Sequence, residues 1–167
     1  METTPAEIAQ LVHRQAIENR LIDYCRHLDE MDLDALVQNF TEDCQITYGP
    51  DPRLEARGRK ALKASLARMW RWRRTAHHLC NVRLWFDGPD NASAESAVWA
   101  WHEAQGGSKT EVYGVYRDSL IHSEDGWLIH QRSMSMRGAS ESFRVPIPQA
   151  HRHPPPPGWT APDGLDD

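Results

Sequence analysis

Nothing in this 167-residue sequence is arranged as a disulfide or metal framework. Its three cysteines, Cys25, Cys44 and Cys80, are odd in number, far apart and in no metal-binding spacing. Each sits among apolar neighbours, so buried thiols in a reducing compartment are expected rather than bridges. No spacing of His, Cys or carboxylates resembles a zinc motif, and neither a metal nor any other cofactor is expected. Positive charge is scarce too. A net charge of -5 excludes the basic stripe that a nucleic-acid surface needs. The opening METTPAEIAQ has no basic segment followed by an apolar one, so it carries no export signal. No run approaches the ~18 apolar residues of a membrane span. These absences describe a soluble, cytoplasmic protein with no nucleic-acid or membrane partner.

What is present is enough for one domain with a real core. Ile8, Leu11, Val12, Ile17, Leu21, Tyr24, Cys25 and Leu28 recur at three- and four-residue steps, the spacing of an amphipathic helix. Thr4 followed by Pro5 is a start signal for it. A shorter helix is predicted from about Asp32 to Phe40, a short strand over Gln45–Tyr48, and a third helix from about Arg59 to Trp72. Beyond that the period changes from near four to two. His77–Phe86, Ala92–Ala104, Glu111–His122 and Trp127–Met136 read as strands, separated by turn signals such as Asp87-Gly88-Pro89-Asp90-Asn91 and Gly106-Gly107. Helices first and closely linked strands afterwards indicate an α+β fold whose sheet is mainly an antiparallel meander. Such a sheet, curved around the helices, would leave a cone-shaped cavity, and seven tryptophans suggest an apolar lining. The pattern breaks at Val145, dividing the chain into a 1–144 domain and a proline-rich 145–167 tail. The tail holds His151 and His153, read as solvated residues, and its end, Ala161–Asp167, is expected to be mobile.

The residues suited to chemistry are few. Tyr24 lies in the apolar stripe of the first helix, and Asp29 about 40° beyond Cys25 at the stripe's edge. A carboxylate placed there can face the cavity, where burial raises its pKa unless a cation or hydrogen-bond donor compensates. A nearby imidazole would compensate and keep its other nitrogen free as a base. The alternative is that Asp29, with Glu30, Asp32 and Asp34, is only a solvated corner between helices. Strand alternation puts His78 on the face of Cys80, Val82 and Leu84, so parity favours His78 as the inward histidine. A bulge near Leu79 or Cys80 would exchange it for His77. The cluster Arg68, Arg71, Arg73 and Arg74, interleaved with Trp70 and Trp72, is read as a helix end with snorkelling arginines rather than a base-stacking patch.

Four stretches resemble the SnoaL-like branch of the nuclear transport factor 2-like superfamily: AIENRLIDYCRHLDEMDLDALVQNFTEDCQITYG, GRKALKASL, HHLCNVRLWFDG and VYGVYRDSLIHSEDGWLIHQR. The resemblance spans roughly residues 6–138 and implies a cone-shaped α+β barrel. Within the family, hexachlorocyclohexane dehydrochlorinase pairs an Asp ending the first helix with a His before an Asn-x-Arg-Leu segment. Asp29, His77 and Asn81-Val82-Arg83-Leu84 match that pattern. Bile-acid 7α-dehydratase adds a tyrosine where Tyr24 stands, and scytalone dehydratase a second histidine where His102 stands. Cys25 after Tyr24 departs from the paired tyrosine-aspartate of the last family and argues against its phenol chemistry.

The resemblance therefore implies a cofactor-independent lyase, a dehydratase acting on a hydrophobic cyclic molecule such as a steroid or polyketide-like ring. Its catalytic residues would be Asp29, His77 and Tyr24, with His102, Arg132 and Tyr116 binding substrate. The same residues would serve a ketosteroid-type isomerase or a polyketide cyclase. A reading of another class is a non-catalytic small subunit of a ring-hydroxylating oxygenase. An epoxide hydrolase would need an Asp-Arg-Asp set; Asp118 and Arg132 are available but no third member is evident. A homo-oligomer, dimer or trimer, is expected in each case.

Overall fold

A computed structural model of the chain describes residues 4–158. Helix α1 (Pro5–Glu30) begins at a capping box: the Glu7 N–H donates to Thr4 Oγ1, and the Thr4 N–H donates back to the Glu7 carboxylate. It ends at Met31, whose left-handed backbone (φ 56) lets its N–H reach the Leu28 carbonyl. Asp29 therefore sits in the last turn. Ile17, Leu21, Tyr24, Cys25 and Leu28 are buried, and each aliphatic side chain so buried contributes about 2 kcal/mol. The earlier members of the same stripe differ: Ile8, Leu11 and Val12 are more than half exposed.

Helix α2 (Leu33–Val37) is shorter than its sequence pattern, since strand β1 (Phe40–Thr47) already begins at Phe40. Strand β2 (Glu55–Arg57) and helix α3 (Arg59–Leu66) follow. The predicted third helix loses its last turn to a 3₁₀ segment, Ala67–Arg71, and the next strand starts five residues before His77. Strands β3 (Trp72–Phe86), β4 (Asn91–Ala104), β5 (Lys109–Ser123) and β6 (Gly126–Ala139) form the expected antiparallel meander. The sheet order is β2-β1-β6-β5-β4-β3. β1 joins β6 in parallel, which local pattern does not reveal. The sheet is mixed and not closed, with β2 and β3 as its edges, and α1 packs against both β3 and β6.

Two further features differ from expectation. Cys80 is exposed, while Cys25 and Cys44 are buried. Its exposure follows from a register shift between Cys80 and Arg83, where Asn81 adopts φ 52. After Ala139 the chain does not leave the fold. Phe143, Val145 and Ile147 pack against the core, Gln149 bridges to Met136, and the Ala150 N–H donates to the Met136 carbonyl. The strap passes so close to Gly49 that a Cβ there would sit 2.5 Å from the Pro146 carbonyl oxygen. Residues 151–158 are exposed, and the expectation for Ala161–Asp167 lies outside the described residues.

Candidate active site

The bulge at Cys80–Asn81 exchanges the two faces of β3. His77 and Leu79 share the inner face with Val82, Leu84 and Phe86, while His78 is exposed and packs on Trp99. The His77 side chain is only 5% exposed, and its Nδ1 lies 2.6 Å from Asp29 Oδ1. The His77 backbone N–H donates to Asp29 Oδ2 at 2.7 Å, and Thr75 Oγ1 donates to Oδ1 at 2.7 Å. A carboxylate at the negative end of a helix is normally disfavoured. Burial pushes the Asp29 pKa up as well, yet these donors and the imidazole together hold it below the usual carboxylate range. With Asp29 accepting at Nδ1, His77 Nε2 is the ring nitrogen left for other chemistry.

His77 opens onto an apolar inner cavity of about 70 Å³. Tyr24, Tyr48, Met69, His102, Tyr116 and Phe143 are among its other walls. The Tyr24 and Tyr48 hydroxyls lie 2.7 Å apart, so one donates to the other and one O–H is left free. Burial, reinforced by Tyr116, pushes the Tyr24 pKa far up and keeps the hydroxyl protonated. His102 meets His77 edge-on, with ring centroids 5.5 Å apart. Burial, aided by the charges of His77 and Arg71, lowers its pKa to about 4. Its Nδ1 is buried without a partner. An outer chamber of about 650 Å³ adjoins the inner cavity, and Leu54, Arg68, Arg71, Phe143 and Val145 line both.

Arg132 does not bind anything in the cavity. Its guanidinium is fully buried behind the tyrosine wall, 4.2 Å from the Tyr24 ring centroid and 4.4 Å from that of Tyr116. Nε and Nη2 donate to Asp118 at 2.6 and 3.0 Å. This pair spans directly opposed residues of β5 and β6, so the expected substrate-binding arginine is instead a support for the tyrosines. Tyr116, by contrast, lines the cavity as expected.

Sequence reasoning missed Tyr48, Thr75 and the strap residues Phe143 and Val145. Tyr48 carried a signal, since Cys44, Ile46 and Tyr48 alternate onto one buried face. Thr75 was hidden by placing the strand start too late. Among the described residues no three His, Cys, Asp or Glu side chains gather as a metal site would require. No described helix is long and apolar enough to cross a membrane.

Residues 7–133 match the SnoaL-like domain family. The chain belongs to that family. This SnoaL-like protein is similar in structure to a protein of Novosphingobium aromaticivorans provisionally named scytalone dehydratase. The two share 28% identity over 87% of this chain and 97% of that one, with a TM-score of 0.81. A type-2 hexachlorocyclohexane dehydrochlorinase aligns at 20% identity over 92% of this chain and 99% of its own, with a TM-score of 0.73. An NTF2-like protein of N. aromaticivorans aligns at 18% identity over 86% and 94%, with a TM-score of 0.68. The last two likenesses show the shared fold. No curated protein sequence matches the chain.

Proposed function

We propose that this SnoaL-like protein is a cofactor-independent lyase that removes water from a hydrophobic cyclic substrate, such as a steroid or polyketide-like ring. The family, with a dehydratase and a dehydrochlorinase among the named neighbours, fits a lyase-type role. The observation that carries the finer reading is the 2.6 Å contact between Asp29 and His77 at the wall of an apolar cavity. His77 Nε2 takes the proton from carbon, and that C–H electron pair becomes the new π bond. The hydroxyl on the neighbouring carbon leaves with a proton from the Tyr24–Tyr48 pair. Return of the proton from the imidazolium to the tyrosine oxygen resets the site, with water and an alkene as products. Asp29 positions the ring and stabilises the imidazolium as it forms, in surroundings where charge interactions are strong. His102, kept neutral by burial, is placed to contact the substrate ring. At about 70 Å³ the inner cavity admits only the reacting edge, so the remainder of the ring system occupies the outer chamber.

The test is a panel of hydroxylated ring compounds, read for loss of the mass of one water. His77→Ala and Asp29→Asn each lower kcat by about 10²–10⁴-fold, the usual worth of general acid–base assistance. Asp29→Asn does so with KM little changed, which mere loosening of the cavity would not produce. Full turnover by both variants ends the lyase reading. Conversion without mass change identifies an isomerase built on the same residues. Association of copies belongs to this reading too, supported by exposed Trp85, Trp99 and Tyr113 on the sheet's outer face.

A further inference from the structure

The basic stretch from Arg68 to Arg74 is only half used by the fold. Arg73 and Arg74 turn to Glu103, at 3.8 and 2.7 Å. Arg68 and Arg71 have no such partner: among the described residues neither has a carboxylate within ion-pair distance. Both line the inner cavity that His77 and His102 share, and both line the outer chamber. They form part of the wall that the two cavities share.

Both are held in place. Arg68 Nη1 donates to the Ser65 carbonyl at 2.6 Å and to Ser65 Oγ at 2.5 Å, and its guanidinium lies 5.8 Å from the Tyr48 ring centroid. Arg71 lies 5.0 Å over the Trp72 ring. The Trp72 indole N–H is buried and has no acceptor. Burial and the neighbouring Arg68 charge both press on the Arg71 cation, and Arg71 in turn disfavours protonation of His102. The chamber's walls hold four arginines and one carboxylate, Asp51, which Arg53 already occupies. On a chain of net charge -5 this is a local excess of the opposite sign, in a concave setting that concentrates anions. A purely apolar substrate gives no use for two cations that line the cavities without a carboxylate partner. An anionic group would pair with both.

We propose that Arg68 and Arg71 form an anion subsite on the wall that the two cavities share, so that the substrate is an amphipathic anion. Its apolar ring faces His77, and a carboxylate or phosphate group faces outward. The word substrate rests on the lyase reading; the subsite itself is a claim about binding.

The experiment uses the full chain and three probes that differ only in the outer group: naphthylacetate, naphthyl phosphate and the neutral naphthylacetamide. Binding is followed by calorimetry and by quenching of tryptophan fluorescence. At least one anion binds about tenfold tighter than the amide, the size of a charge-assisted contact. Which anion wins identifies the group. The advantage shrinks with added salt. It falls to about twofold or less in the Arg68→Gln/Arg71→Gln double variant. An amide that binds as tightly as both anions overturns the proposal. So does failure of all three probes to bind, or an advantage that survives in the double variant. Should that variant not fold, the wild-type comparison and its salt dependence decide. Discrimination without any turnover on the ring panel would sink the lyase reading and leave the subsite standing.

Discussion

Asp29–His77 and Asp118–Arg132 are two carboxylate–nitrogen pairs of equal closeness, each with its shortest contact at 2.6 Å, on opposite sides of one tyrosine wall. At Asp118–Arg132 both side chains are fully enclosed; Nε and Nη2 donate to the carboxylate, the guanidinium faces lie against Tyr24 and Tyr116, and Nη1 is buried without a partner among the described residues. At Asp29–His77 the carboxylate is a quarter exposed, three donors converge on it, and the imidazole keeps one nitrogen toward the cavity. Distance alone therefore does not mark a reactive pair. Each pair leaves one nitrogen unused, and what separates them is that an apolar cavity lies in front of His77 whereas the Arg132 guanidinium is enclosed.

That contrast can be broken experimentally. The largest expected effect on folding is at the enclosed pair. Arg132→Met leaves Asp118 buried and unpaired and lowers unfolding free energy by about 3–5 kcal/mol in urea titration. Asp29→Asn, at the open pair, costs about 1–2 kcal/mol: the amide oxygen keeps some of the donors, the NH2 replaces the oxygen that accepted the His77 N–H, and solvent reaches the site. Equal losses at the two sites would remove the distinction.

Next comes the pH dependence near His102. Its pKa is about 4 in the folded protein against 6.5 ordinarily, so the unfolded chain binds more protons between these values. Stability therefore falls as pH drops from 6.5 toward 4, by up to about 3 kcal/mol. The depressed Asp29 contributes in a separate window, lost only as pH falls below the ordinary carboxylate range. His102→Leu should flatten the upper window, as read from urea midpoints at pH 4.5 and 7.5. An unchanged slope would show that other groups carry it. The smallest effect belongs to His78, which is exposed outside the cavity. His78→Ala should change stability by less than about 0.5 kcal/mol and leave turnover intact. Loss of turnover there would restore the parity assignment over the bulged one.

Much of the architecture was legible because it rests on local periodicity. The four long strands, the capped first helix and the order of elements all follow from spacings of two and of three to four residues within single segments. Asp29 at a helix end was legible for the same reason. Alternation failed at His77, because one extra residue at Asn81, four positions downstream, reverses the face. Periodicity counts residues and carries no mark for a bulge. The resemblance to relatives pointed to His77 instead. Arg132 failed differently: a strand arginine reads the same whether it faces a cavity or a buried aspartate on the next strand.

Taken by itself, the chain's order of residues determined which segments are helix or strand, which side chains are apolar enough to line an interior, and which can hold or release a proton. Only the folded chain decided which of these meet: Asp29 with His77 across 48 positions, Tyr24 with Tyr48, Arg68 and Arg71 on the wall of two cavities. The parallel joining of β1 to β6 and the return of Phe143–Ile147 over the cavity were decided there as well. The physical reason is range. Backbone preference and hydrophobic spacing act over a few neighbours, whereas a site is made of contacts between segments that only packing brings together.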